Sequence, residues 1–185
     1  MKKLFIILGS TREGRQGEKI AKWAYGLAGG QKEFETELID LRDWPLPFFN
    51  SPVSPSMAKE YDNEPARKWA AKIAQADGFI IVTPEYNHSF PAVLKGALEH
   101  LFKEWNRKPV AFVSYGWSAA GARAVEQLIN VVIDLKMIPI REQINISIPG
   151  VMNEKGEFIF SDYLAKQLEN VFGELAKRMA RDISE

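Results

Sequence analysis

Leu4-Phe5-Ile6-Ile7-Leu8 runs directly into Gly9-Ser10-Thr11-Arg12-Glu13-Gly14-Arg15-Gln16-Gly17, and a stripe of Ile20, Ala21, Trp23, Ala24 and Leu27 follows. Consecutive apolar residues with no polar alternation are what a strand covered on both faces requires. Glycines and hydroxyls end that run, and the apolar residues resume at helical period. A buried strand, a glycine-rich turn and an amphipathic helix, in that order, open a βαβ unit. Met1-Lys2-Lys3 ahead of the strand imitates a signal peptide, but the apolar run is too short for an h-region and no small-residue cleavage site follows.

The same alternation repeats along the chain. Gly78–Val82 and Val110–Ser114 are further continuous apolar runs, with Leu38–Leu41 and Ile144–Ile148 as weaker versions. Helical stripes lie between and after them: Ala66, Trp69, Ala70, Ile73 and Ala74; Leu94 through Leu101, Phe102 and Trp105, opened by Pro91; Val125, Leu128, Ile129, Val132 and Leu135; and Leu164 through Met179. Five strand–helix alternations predict an α/β fold of flavodoxin-like order: a five-stranded parallel sheet, 2-1-3-4-5, with right-handed crossovers and helices on both faces. Without repeat, linker or low-complexity tract, residues 1–185 are expected to form one domain. The segment from Arg42 to Pro65 carries five prolines. It reads either as a surface excursion packed by Trp44, Phe48 and Phe49, or as a lid or oligomer contact.

Composition removes whole classes of function. The chain has 185 residues, 46% of them apolar and none of them cysteine, so thiolate chemistry, Cys-ligated metals and disulfide scaffolds are all absent. Lys and Arg number 24, Asp and Glu 24, leaving no net charge and no basic footprint for nucleic acid. No apolar run approaches the roughly 20 residues that span a bilayer. A cytoplasmic protein with no nucleic-acid or membrane partner is the expectation.

In an open parallel sheet, ligands bind outside the carboxyl ends of the strands at the switch point, here between the first and third strands. The loops leaving strands one, three and four are the unusual ones. Gly9–Gly17 combines glycines, hydroxyls and two arginines ahead of a helix, which suits an anion such as a phosphate. It is neither a Walker A loop, since Arg15-Gln16 replace the Lys-Ser/Thr pair, nor a dinucleotide fingerprint, whose glycine spacing differs. A purely steric turn would also use these glycines. Asp40, at the end of strand two, would fit the ribose acid of that fingerprint, but standing alone it reads as a loop cap. In Pro84-Glu85-Tyr86-Asn87-His88-Ser89, proline stiffens the backbone while Tyr86 and Asn87 offer a ring face, donors and acceptors for a flat heteroaromatic. The alternative there is a simple β-turn leading into the helix at Pro91.

The third loop, Tyr115-Gly116-Trp117-Ser118-Ala119-Ala120-Gly121, lies one residue from the G-x-S-x-G elbow of serine hydrolases. That fold places its histidine after the serine, and no histidine follows His100. Tyr115 and Trp117 can instead wall a ring or pack the core. His88 borders the proposed ring site and reads either as a ligand contact or as a solvent-facing loop residue, and His100 as a structural histidine; neither joins a metal-ligand cluster.

On Gly9-Ser10-Thr11-Arg12, Pro84 to Ser89 with Pro91, Leu94 to Leu98, and Tyr115-Gly116 with Gly121-Ala122-Arg123, the chain resembles the NAD(P)H-dependent FMN reductase family of flavodoxin-like flavoproteins. The resemblance implies FMN as cofactor and NADPH or NADH as co-substrate. It also implies a small electron acceptor such as a flavin, quinone or azo compound, and a homodimer or homotetramer. It places Ser10, Arg12, Arg15, Gln16 and Gly17 around the FMN phosphate, and Pro84, Glu85, Tyr86, Asn87, Tyr115 and Gly116 about the isoalloxazine. Gly17 stands where many members carry serine, Gly96 where many carry asparagine, and Ala120 where glycine is common. No catalytic acid, base, nucleophile or metal is expected, because the cofactor carries the chemistry. The alternative is a flavodoxin-like electron carrier without nicotinamide turnover, against which the zero net charge weighs.

Overall fold

The strands of the first, third and fourth apolar runs share one register. In the structure, a computed structural model that describes residues 1–181, β1 (Lys2–Leu8), β3 (Gly78–Pro84) and β4 (Pro109–Gly116) pair in parallel so that Leu8, Val82, Val113 and Ile144 stand side by side. β2 (Phe34–Asp40) adds to the outer edge of β1 and β5 (Ile138–Pro139) to the outer edge of β4, giving the order β2-β1-β3-β4-β5. Because the ends are level, the loops after β1, β3 and β4 leave the sheet together.

Alternate residues of these strands feed opposite cores. Leu4, Ile6, Leu8, Ile80, Val82, Ala111 and Val113 pack with α1 (Gly17–Ala28) and α6 (Asp162–Ala180). Phe5, Ile7, Phe79, Ile81 and Phe112 face α2 (Glu64–Ile73), α3 (Ala92–Glu99) and α4 (Ala122–Asp134). Burial on both faces is why these strands read as unbroken apolar runs. β2, at the edge, alternates in burial and starts earlier than its apolar residues indicate. Asn63 and Ser161 cap α2 and α6 through side-chain oxygens, so Pro65 sits in the first turn of α2 and the irregular segment ends before it.

Three sequence expectations need correction. The fifth sheet position is shared by two short strands on β4, β5 (Ile138–Pro139) and β6 (Ile144–Ser147), and Ile148 belongs instead to the short helix α5 (Ile148–Val151). The stripe from Leu94 to Trp105 is not one helix. α3 ends at Glu99, and the chain then folds back so that the Trp105 indole donates to the Leu98 carbonyl at 3.1 Å. Finally, Phe48 does not pack: it is 95% exposed, while Trp44 rests on Trp69 at 5.0 Å between ring centroids and Phe49 meets His100 edge-on. The proline-rich segment is anchored at its far end by the Tyr61 hydroxyl, which donates to the buried Glu104 at 2.5 Å.

Candidate functional site at the carboxyl edge of the sheet

The first loop is held in shape by charge. Gly9 N–H continues the ladder to the Val82 carbonyl at 2.9 Å, and the chain then leaves the sheet around a buried guanidinium. Arg15 is 2% exposed in its side chain and donates to the Ser10 carbonyl and to both oxygens of Asp40. Asp40 also accepts from the Arg42 amide at 2.9 Å, which makes it the cap of the 3-10 turn Leu41–Asp43 as well as an ion-pair partner. Burial alone would raise the Asp40 carboxyl; the bonds from Arg15 and the Arg42 amide, with both positive charges, hold it below its ordinary value. Arg42 closes the brace from outside, donating to the Thr11 carbonyl at 3.2 Å and the Arg12 carbonyl at 2.6 Å. The two arginines of the loop therefore differ. Arg15 is committed to Asp40, whereas the exposed Arg12 side chain has no ion-pair partner among the described residues and lines the cleft.

The loop ends at the start of α1, where Gln16 contributes no side-chain cap. Gly17 is glycine for a steric reason: a Cβ there would stand 2.2 Å from the Tyr115 hydroxyl. Tyr115, 5% exposed, points its ring away from the cleft mouth toward this helix start. Its hydroxyl is buried beside the Ser10 hydroxyl, Arg15 and the Gly17 amide. Burial, with the nearby Tyr86 phenol, pushes its ionisation up, so it stays neutral.

The second loop is a tight primed-type turn. Tyr86 and Ser89 exchange both backbone hydrogen bonds, at 2.8 and 2.9 Å, around Asn87 and His88, whose φ values are 51° and 66°. The β-turn expected there is present, and it leaves Asn87 exposed while the Tyr86 hydroxyl lies 2.9 Å from that of Ser10. Glu85 N–H donates to the Tyr115 carbonyl at 3.1 Å. Its carboxylate takes Arg123 of α4 at 2.5 Å on one oxygen, leaving the other buried without a partner. His88 is exposed, as anticipated, and His100 is buried at the end of α3 with Nδ1 2.7 Å from the Gly96 carbonyl.

The third loop begins at Gly116 and lifts Trp117, 71% exposed, above the edge; core packing does not account for it. Ala120 and Gly121 then turn left-handed, with φ 51° and 85°. Ser118 is exposed, and neither histidine is hydrogen-bonded to it, so the hydrolase reading has no activating base.

Together these loops form a cleft of about 320 Å³ lined by Arg12, Arg15, Gln16, Pro84, Glu85, Tyr86, Tyr115, Gly116 and Trp117, with Ile148 and Met152 completing the lining. Ser10, Gly17 and Asn87 adjoin it through the contacts above. Sequence reasoning missed Arg42, whose role is visible only in its bonds to the first loop, and missed Met152, which no motif marks. A larger apolar groove of about 560 Å³ lies elsewhere, between the proline-rich segment and α3. No group of His, Asp and Glu among the described residues could hold a metal, and no described helix is long and apolar enough to cross a membrane.

This arrangement has relatives. Over 182 residues the chain is 38% identical to an NAD(P)H-dependent FMN reductase of Schizosaccharomyces pombe, covering 95% of this chain and 89% of the relative. It is 32% identical over 127 residues to a 2-hydroxy-1,4-benzoquinone reductase of a Burkholderia species, covering 64% of this chain and 63% of that one. Among solved structures, the flavoenzyme NAD(P)H:(acceptor) oxidoreductase of Paracoccus denitrificans superposes with a TM-score of 0.75 at 23% identity, covering 97% of each chain, and so shares the fold. Residues 2–149, which carry all three loops, match the sequence model of one family, described as NADPH-dependent FMN reductase. The chain belongs to the NADPH-dependent FMN reductase family.

Proposed function

We propose that the cleft binds FMN with its phosphate in the first loop and its ring between the second and third loops. On this reading the protein transfers electrons from NADPH or NADH to a small planar acceptor of the flavin, quinone or azo type. The observation that carries the reading is the polarity of the cleft. At one end stand the exposed Arg12 guanidinium, which has no ion-pair partner among the described residues, and the start of α1, which carries no side-chain cap. At the other stands a buried acceptor, the free oxygen of Glu85, beside the rigid Pro84–Ser89 turn. A ligand anionic at one end and bearing N–H groups on a flat ring at the other satisfies both.

Ser10, Arg12, Gln16 and Gly17 would hold the phosphate, with Arg15 setting the loop's shape through Asp40. Pro84, Glu85, Tyr86, Asn87, Tyr115 and Gly116 complete the cofactor set, the last two through their backbone at the ring end. When bound, FMN supplies the redox chemistry, accepting a hydride from the nicotinamide and giving two electrons to the acceptor. The chain itself contributes orientation and a low-dielectric wall. Trp117 lines the cleft with its ring largely exposed, where an aromatic co-substrate would stack.

Anaerobic addition of NADPH, then NADH, to the FMN-loaded protein tests this reading: the flavin absorbance near ~450 nm bleaches and returns when a quinone or azo compound is added. Protein that takes up FMN but resists both nicotinamides would be an electron carrier instead. A homodimer or homotetramer would use the apolar groove beside α3, where Phe48 and Met57 are exposed on the proline-rich segment. The absence of cysteine fits a cytoplasmic setting.

A further inference from the structure

We infer that Arg123 and Gln127, one turn apart on α4, are positioning residues for the ring end of the cleft, holding the Glu85–Ser89 turn in place against the third loop. The inference rests on the flavin reading above and adds to it two side chains that do not themselves line the cleft.

The turn has a shape that its own backbone does not favour. Asn87 and His88 are both left-handed, at φ 51° and 66°. Asn and His tolerate that region better than most residues, but two in succession persist only where the surroundings fix them. The paired amides and carbonyls of Tyr86 and Ser89 close the turn from within. From outside, the Gln127 side-chain amide donates to the His88 carbonyl at 2.8 Å, at the left-handed corner itself. One helical turn earlier, Arg123 donates to a Glu85 carboxylate oxygen from Nε at 2.5 Å and meets the same oxygen with a terminal nitrogen at 2.5 Å. Residues four apart share one face of a helix, so a single straight element grips the turn at both ends.

The helix is in turn fixed to the third loop. Gly121, at its N-cap, has φ 85°, and a Cβ there would stand 2.6 Å from that of Ser114 on β4. The Ser114 hydroxyl donates to the Ala120 carbonyl at 2.9 Å and accepts from the Asn145 amide at 2.7 Å. Ala124, Val125, Leu128 and Val132 bury the opposite side of the helix in the core. The second loop is therefore carried on the same support as Gly116 and Trp117. α4 sets the spacing between the turn that faces the flavin ring and the indole on which a co-substrate would stack. Neither Arg123 nor Gln127 is hydrogen-bonded to the first loop among the described residues, so their loss should be felt at the ring and not at the phosphate.

The test titrates the full chain, stripped of flavin, with FMN and with riboflavin, which carries the same ring without the phosphate. Arg123→Met should weaken both by the same factor, roughly tenfold, and Gln127→Met should weaken both roughly threefold. Arg123→Lys, which returns a cation to Glu85, should recover most of the loss. The visible circular dichroism of the bound flavin, a report on how firmly the ring is held, should fall in both methionine variants. Arg123→Met strands a largely buried carboxylate, whereas Gln127 is exposed and its replacement leaves the fold intact. Asn130, exposed on the same helix and bonded to the Glu126 carbonyl at 3.3 Å, supplies the control: Asn130→Met should leave both titrations unchanged. Unaltered affinity for both flavins in Gln127→Met, a loss confined to FMN, or an equal loss in Asn130→Met would overturn the assignment while leaving the flavin site standing. Wild-type protein that binds neither flavin would overturn the flavin reading itself, and this inference with it.

Discussion

Replacing Asp40 by Asn removes one charge and almost no volume, and the structure sets the size of the response. The guanidinium it serves is 2% exposed, and Asp40 meets it with both oxygens while accepting the Arg42 amide on one of them. Removing one partner of a fully buried pair costs about 3–5 kcal/mol. Asp40 is itself about a quarter exposed, the asparagine oxygen still accepts one bond, and Arg15 keeps the Ser10 carbonyl, so water and the remaining contacts recover part of the loss. A destabilisation of about 2–3 kcal/mol is expected at neutral pH, which for a chain of this size lowers Tm by roughly 4–12 °C. The pH dependence follows from the depressed carboxyl of Asp40. A carboxylate held low in the folded state contributes its full stability above the unfolded value near ~4, and loses it as pH falls through the lower folded value. Urea denaturation of both proteins should show a gap at pH 7 that closes in acid. A gap below ~0.5 kcal/mol at pH 7, or one that persists undiminished in acid, would refute the view that this ion pair holds the first loop.

Three further perturbations probe other parts of the site. Arg12→Ala, which removes a side chain free of ion-pair partners, should lower FMN affinity about tenfold or more with little change in Tm; unaltered FMN titration in the folded variant would show that the first loop has been misread. Ala120→Gly relieves a left-handed alanine at φ 51°, and after the greater freedom of glycine in the unfolded chain is deducted, thermal denaturation should show a gain of about 0.5–1 kcal/mol. Tyr61→Phe strands the buried Glu104 and the Phe102 amide that the hydroxyl serves. It should cost about 1–3 kcal/mol and speed proteolytic cutting within residues 45–60, and an unchanged cleavage rate would mean that the segment is held by Trp44 and Phe49 alone.

What can be read from the chain alone is whatever depends on burial over a few consecutive residues. β1, β3 and β4 announce themselves because both faces are covered, and the three loops follow because strand ends in a parallel sheet are where backbone is released. The trailing edge misleads for the same reason: β5 is too short to leave a run, β6 leaves only a weak one, and Ile148 looks like strand until Pro149 fixes a helical turn. Leu101, Phe102 and Trp105 keep helical spacing after α3 has ended, since a chain folding back beneath its own helix buries the same residues that another turn of helix would. Pairings across the sheet are invisible. Nothing local in Asp40 points to Arg15, and nothing in Gly17 points to Tyr115. The alanine at position 120 is legible as a departure from glycine, but only its φ shows that the departure strains the backbone.

These distant pairings account for a property the loop's composition alone would not give. Glycine and hydroxyl residues confer freedom, and a free loop loses conformational entropy when it closes on an anion. Here the Ser10 carbonyl is held by Arg15, those of Thr11 and Arg12 are held by Arg42, and the Ser10 hydroxyl is held by Tyr86. One carboxylate at the end of β2 gathers both arginines, Arg15 through its guanidinium and Arg42 through its backbone amide, and from the turn after this edge strand the Arg42 side chain reaches back to the loop. The ordering is thus completed at folding, with core and edge side chains, before any ligand arrives. It follows that the braces and the ligand contacts are separable: loss of Asp40 should reduce stability and affinity together, whereas loss of Arg12 should reduce affinity alone. A loop ordered only by its ligand would not divide the two effects in this way.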